Sequence, residues 1–197
     1  MYLALPIRRP ARKHRHDTSL TLTDCLESFT QQERLNLENS WYCGRCKEFQ
    51  QAHKKLDLWR LPDVLVIGLK RFRSGGYGHK VEKKVEFPLE ELDLSRFVLS
   101  DADRSDCRFE LFGVSNHSGS LGFGHYFAYT KLHGKWYRCD DSMVEAMPST
   151  RVMSREAYIL FYRRKKQSVS LPPGLPSVSA TTSSGTPTPS ASSLSAL

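Results

Sequence analysis

The chain lacks any run of roughly 18 or more apolar residues, so no membrane-crossing helix is expected and a membrane is not an expected partner. Its start, Met1-Tyr2-Leu3-Ala4-Leu5-Pro6, has neither the basic opening nor the long apolar stretch of a secretory signal. Cysteine is scarce and irregularly spaced: there are five, and only Cys43 and Cys46 form a close pair. That pattern excludes a disulfide framework and points to a reducing intracellular compartment, cytoplasm or nucleus. No internal repeat is visible. From Gln167 to Leu197 no charged residue occurs, while Ser, Thr, Pro and Ala dominate. Such a segment cannot bury enough apolar surface to offset its ordering entropy, so residues 167–197 are expected to be a disordered tail behind a domain at 1–166. Nor does any cysteine or serine stand in a setting that marks it as a nucleophile.

What is present is packing material. The 197 residues are 39% hydrophobic, with eight Tyr, ten Phe and three Trp, which suits one domain with a sizeable core. The formal net charge of +8 raises the question of acidic partners. The excess is local, at Arg8 to Arg15, at Lys80, Lys83 and Lys84, and at Arg163 to Lys166. Aromatic residues do not interleave with these clusters as a base-stacking surface requires, so solvated loops and strand ends are the expectation and nucleic acid is not an expected partner.

Strand patterns dominate. Tyr2 to Ile7 alternates, and Leu22, Cys25, Leu26 and Phe29 keep helical spacing behind a candidate cap at Thr21 or Thr23. Leu56 to Trp59 alternates, and Val64 to Leu69 is a continuous apolar run suited to a central strand. Val81, Val85 and Phe87 mark another strand, and Phe109–Val114, Tyr126–Leu132, Trp136–Cys139 and Ala157–Tyr162 complete the set. The expected class is α+β with a mainly antiparallel sheet.

Chemistry concentrates between Gly124 and Ser142. His125 and Asp140 lie on the two arms of a predicted hairpin whose turn falls within 131–135. A four-residue loop pairs His125 with Asp140, and a two-residue loop at His133-Gly134 leaves them diagonal on the same face. An odd loop or a bulge transfers the position to Asp141. Imidazole can take a proton from a nucleophile and return it to a leaving amine, while a carboxylate on its other nitrogen fixes the tautomer. Gly122 and Gly124 leave room for a substrate backbone. Spacing alone does not separate this reading from a strand histidine facing a surface aspartate.

An ordered series of segments resembles the ubiquitin-specific protease family. It comprises Tyr42-Cys43-Gly44-Arg45-Cys46, Gln51 to Pro62, Val66-Ile67-Gly68-Leu69-Lys70-Arg71-Phe72, Phe87-Pro88 and Val114-Ser115-Asn116-His117-Ser118-Gly119. Gly124-His125-Tyr126-Phe127, Trp136-Tyr137, Asp140-Asp141-Ser142 and Ala157 to Tyr162 continue it, so the match runs from about Met1 to Arg164. The resemblance implies the fingers and palm of a papain-like cysteine protease fold, with the thumb missing. It makes His125 the catalytic base, Asp140 its orienting acid and Asp141 an assisting neighbour. Ser115 to Gly122 and Ser74 to Lys84 resemble loops beside the channel for the ubiquitin tail.

The implied reaction is thiol-dependent hydrolysis of the peptide or isopeptide bond after ubiquitin's C-terminal glycine, with ubiquitin and ubiquitinated proteins as partners. The family's cysteine box precedes the matching region and has no counterpart here. This chain alone is therefore expected to be inactive, and Cys25, Cys107 and Cys139 are expected to be structural. No cofactor is implied for catalysis. Cys43 and Cys46, with Gly44 easing the turn between them, match half of the family's structural zinc site, which uses two Cys-x-x-Cys pairs, and no tight zinc binding is expected from one pair alone. A catalytically inactive ubiquitin-binding scaffold is the alternative, and a small zinc-containing nucleic-acid binder leaves residues 124–142 unexplained.

Overall fold

A computed structural model describes residues 1–10, 19–72, 80–100, 106–120 and 123–165. The tail expected at 167–197 and most of the segment expected as a loop at 74–84 lie outside these residues. Along the chain run β1 (Tyr2–Pro6), β2 (Leu20–Thr21), α1 (Leu22–Thr30), β3 (Glu33–Arg34), β4 (Trp41–Cys43), β5 (Glu48–Gln50) and β6 (His53–Lys54). Then come β7 (Val64–Lys70), β8 (Val85–Glu86), β9 (Leu92–Asp93), β10 (Arg108–Gly119), β11 (Gly124–Leu132), β12 (Lys135–Asp140), β13 (Met143–Met147) and β14 (Ala157–Arg164). No described helix is long and apolar enough to cross a membrane.

One large sheet carries the fold, in the order β1-β7-β14-β10-β11-β12-β13, with β9 pairing the start of β10. Every pairing in it is antiparallel except β1 with β7. The apolar run becomes β7, flanked by β1 and β14 as its composition requires, with Leu65, Ile67 and Leu69 buried. Fully burying each such side chain contributes about 1.5–3 kcal/mol. The helix α1 lies against β1 and turns Leu22, Cys25 and Leu26 into the core. It begins at Thr21, whose Oγ1 accepts from Asp24 N at 3.1 Å while Thr21 N donates to Asp24 Oδ2 at 3.0 Å. This reciprocal cap stabilises the helix start by about 1 kcal/mol.

A fully buried guanidinium ties the sheet to the segment after Lys80. Arg71 donates from Nε to Ala157 O at 2.7 Å, and from Nη1 to Val81 O at 2.7 Å and Lys83 O at 3.0 Å. These bonds explain why Val81 stays out of a strand although the pattern at 81, 85 and 87 suggested one: the carbonyls at 81 and 83 turn toward Arg71, and only Val85–Glu86 pairs, with β2. Leu56 to Trp59 likewise yields only an isolated bridge between Leu58 and Val98. In the other direction, β10 runs on through Gly119, because Ser115 to Gly119 pairs with β11. The expected loop from Ser115 is therefore strand for its first five residues.

Candidate active site

The hairpin of β11 and β12 positions the site. Leu132 pairs with Lys135, so the turn is the two-residue one, His133-Gly134, with φ of 48° and 77°. Positive φ at both central residues matches the twist of the strands, and glycine meets that need at the second position. The register then runs through Tyr129 opposite Arg138 to Ala128 opposite Cys139. His125, Phe127, Tyr129, Arg138 and Asp140 consequently share one sheet face, with Asp140 diagonal to His125. The expected geometry for an even loop is the geometry found.

His125 Nε2 lies 2.5 Å from Asp140 Oδ1. The imidazole is half exposed, while the Asp140 side chain is only 15% exposed, so the acid is the anchored member. The hydrogen bond and charge of Asp140 raise the His125 pKa above its ordinary value, and the same bond holds Asp140 below the usual carboxylate range. With Nε2 committed to Asp140, Nδ1 is the nitrogen that can exchange a proton with a reacting group. A second two-residue turn, Asp141-Ser142, ends β12, because Asp140 pairs with Met143. Asp141 takes φ of 50° there, a left-handed conformation that aspartate tolerates better than most residues. One of its carboxylate oxygens comes within 4.8 Å of a ring nitrogen of His125 and of a carboxylate oxygen of Asp140. All three expected site residues are thus together, and Asp140 rather than Asp141 holds the imidazole.

Beside them opens a pocket of about 380 Å³ lined by Ser118, His125, Tyr129, Arg138, Glu145 and Glu156 among others. No cysteine lines it among the described residues. Cys25 is buried in α1, where desolvation pushes its thiol up to about 11. Cys107 is buried in the core, and Cys139 occupies the strand position next to Asp140, on the opposite face by the alternation of β12. None lines the pocket beside His125, where a nucleophilic thiol would give up its proton to the imidazole.

Gly124 has a different role from the one its sequence context suggested. A Cβ there would overlap His117 Nε2, so the missing side chain makes room for His117, not for open substrate space. His117 is 5% exposed, with Tyr126, Phe72 and Tyr158 ring centroids 4.6, 5.5 and 6.2 Å from its own. Desolvation, then the charge of Lys80, lower its pKa. Lys80 Nζ donates to His117 O at 2.5 Å and Gly119 O at 3.0 Å, pinning the end of β10 that leads to His125.

Far along the chain from this site, Cys43 and Cys46 bracket the turn between β4 and β5. The Cys43 thiol accepts backbone N–H bonds from Cys46 and Arg45 and interacts with the Cys46 thiol, which lowers its pKa. The left-handed residue of this turn is Lys47 (φ 57°) and not Gly44. No third His, Cys or carboxylate among the described residues joins these two thiols in a cluster.

Arg138 also belongs to the site, although no motif in the sequence marks it. Its Nη2 donates to Asp140 Oδ2 at 2.5 Å, and its guanidinium lies 4.9 Å from the Phe127 ring centroid. The two-residue spacing from Asp140 on one strand was the available signal.

Comparison with known proteins places the chain in a family. Residues 13–162 match the family model described as ubiquitin carboxyl-terminal hydrolase. Ubiquitin carboxyl-terminal hydrolase 15 of Homo sapiens is 49% identical over 147 residues, 73% of this chain and 15% of that protein. Ubiquitin carboxyl-terminal hydrolase 9 of Arabidopsis thaliana is 47% identical over 157 residues, 78% of this chain and 17% of that protein. Among solved structures, the SAGA Ubp8/Sgf11/Sus1/Sgf73 DUB module bound to ubiquitin aldehyde superposes with a TM-score of 0.65 at 31% identity, covering 83% of this chain and 36% of that one. The chain therefore spans less than a fifth of the curated relatives' length. Its sheet is a portion of the papain-like fold of these enzymes, and the chain belongs to the ubiquitin carboxyl-terminal hydrolase family, as the C-terminal part of a ubiquitin-specific protease catalytic domain.

Proposed function

We propose that this chain supplies the base and the orienting acid of a thiol-dependent deubiquitinase. The observation that supports the reading is the 2.5 Å contact between His125 Nε2 and Asp140 Oδ1 on one face of a hairpin. In the reaction a cysteine thiol gives its proton to Nδ1 of His125, and its sulfur attacks the carbonyl carbon of ubiquitin's terminal glycine. Asp140 holds the resulting imidazolium in place. The C–N bond then breaks, and the departing lysine amine takes the proton from His125. A water, deprotonated by the same imidazole, hydrolyses the thioester and frees both ubiquitin and the thiol. None of the described cysteines is placed for the first step, so the thiol comes from another stretch of polypeptide. Ubiquitin and ubiquitinated proteins are the proposed partners, in an intracellular setting.

Cys43 and Cys46 fit half of a structural zinc site. Their thiols converge on one turn, and the backbone N–H groups aimed at Cys43 favour its thiolate. Zinc would serve folding of the fingers there, and the other two ligands would come from outside the described residues.

The test is hydrolysis of a ubiquitin-amide reporter by a protein extended upstream through a cysteine box. Activity that disappears in His125→Ala supports the assignment. An inert extended protein that still binds ubiquitin identifies a scaffold instead, and His125→Ala with full activity removes His125 from the mechanism.

A further inference from the structure

The carboxylate that orients His125 is not held by His125 alone. Its two oxygens are divided: Oδ1 contacts His125 Nε2 and Oδ2 accepts from Arg138 Nη2, each at 2.5 Å. Asp140 is mostly buried, whereas His125 and Arg138 are both substantially exposed. One anion therefore serves two cations whenever the imidazole is protonated.

Arg138 has a second contact besides Asp140. Phe127, the residue two before Tyr129 on β11, offers its ring face to the guanidinium at 4.9 Å. Tyr129 and Glu145 stand opposite it on β11 and β13. Among the described residues, the ion pair of Arg138 is with Asp140. A residue placed only for solubility has no need of a ring face and a semi-buried carboxylate at once.

We propose that Arg138 is a positioning residue that acts through Asp140: by taking one carboxylate oxygen it shares the anion's charge and keeps His125 less basic than an unshared His–Asp pair. The consequence is chemical. A base that binds its proton too tightly releases it slowly to the leaving amine, and efficiency is best when its pKa lies near the working pH. An unshared aspartate 2.5 Å away would hold the imidazolium strongly; a cation on the far oxygen weakens that hold by Coulomb repulsion and by polarising the carboxylate away from His125. The other charged groups around His125 are Asp141 in the adjoining turn and, lining the same pocket, Glu145 on β13 together with Arg151 and Glu156 before β14. Asp141 favours the imidazolium. Arg138 is the cation bonded directly to the orienting acid.

The inference rests on His125 being the base, but its test needs no catalysis. The His125 ring Cε1–H is titrated by NMR in the full chain, in Arg138→Met, in Arg138→Gln and in Arg138→Lys. The titration midpoint is expected to rise by ~0.3 unit or more in Arg138→Met and in Arg138→Gln, because each removes the cation. It is expected to stay within ~0.2 unit of the parent in Arg138→Lys, which keeps the charge. Amide shifts along β11 and β12 report that each variant folds, and either neutral variant suffices if the other does not. A midpoint that is unchanged or lower in the folded neutral variants overturns the proposal while leaving the role of His125 intact. Failure of the base assignment shows separately, as undiminished reporter hydrolysis by His125→Ala.

Discussion

His117 fills the space that a side chain at position 124 would need, so the residue before the candidate base is glycine for a packing reason. The imidazole cannot easily retreat: it is buried against Tyr126, Phe72 and Tyr158, and its carbonyl is held by Lys80. A Cβ at 124 would also crowd Ser118 O, a backbone atom. Gly124→Ala should therefore cost about 1–3 kcal/mol in urea unfolding and shift the Cα of His125. Unfolding at the parent midpoint with unchanged His125 shifts would show that the pocket around His117 yields freely.

Arg71 holds three backbone carbonyls from inside the core. Arg71→Met keeps the apolar stem but leaves the carbonyls of Ala157, Val81 and Lys83 without that donor. Leaving buried acceptors unsatisfied costs ~1–3 kcal/mol each in unrelaxed settings. Chemical denaturation should show a total loss of about 3 kcal/mol or more, and faster amide exchange in residues 80–86. A loss below ~1 kcal/mol would mean that water or rearrangement replaces the guanidinium without penalty.

The pH dependence of the His125–Asp140 pair follows from the two directions of shift. His125 is raised above 6.5, so its pairing favours the folded state below that value and is lost as pH rises through the folded-state pKa. Asp140 is lowered below 3.8, so its contribution is present above that value and is lost as pH falls through the folded-state pKa. The pair is therefore strongest between about pH 4 and 6.5. In Asp140→Asn the His125 titration midpoint should fall to 6.5 or lower. A midpoint unchanged by that substitution would mean that the contact does not persist in solution.

Cys43 and Cys46 should behave as a two-thiolate partial site. Cobalt(II) added to the full chain should give a weak thiolate-to-metal absorption that Cys43→Ser removes and that small chelators reverse readily. A tight, chelator-resistant complex would reveal further ligands within the chain. Cobalt absorption that survives Cys43→Ser would exclude the pair as ligands.

Much of the candidate site was legible because it rests on local rules. Strand alternation and the parity of the turn put His125 and Asp140 on one face, and His133-Gly134 is a turn whose backbone demands are visible in its residues. The helix start was equally local, with Thr21 and Asp24 three residues apart. What escaped depends on distant chain. Val81 looks like a strand residue until Arg71, ten positions earlier, turns its carbonyl aside. β13, with Met143 and Val144 exposed at the sheet edge, has no buried face to give it a pattern. Gly124 read as open space because nothing in its neighbourhood announces that His117 folds back beside it. Arg138 reads as an ordinary surface cation until Phe127 and Asp140 are seen around it.

The most direct measurement is kcat/KM for ubiquitin-amide hydrolysis by the protein extended upstream through a cysteine box, with and without His125→Ala. Turnover should be robust and should fall roughly a thousandfold or more on removing the imidazole. Equal turnover by the two proteins would exclude His125 as the base.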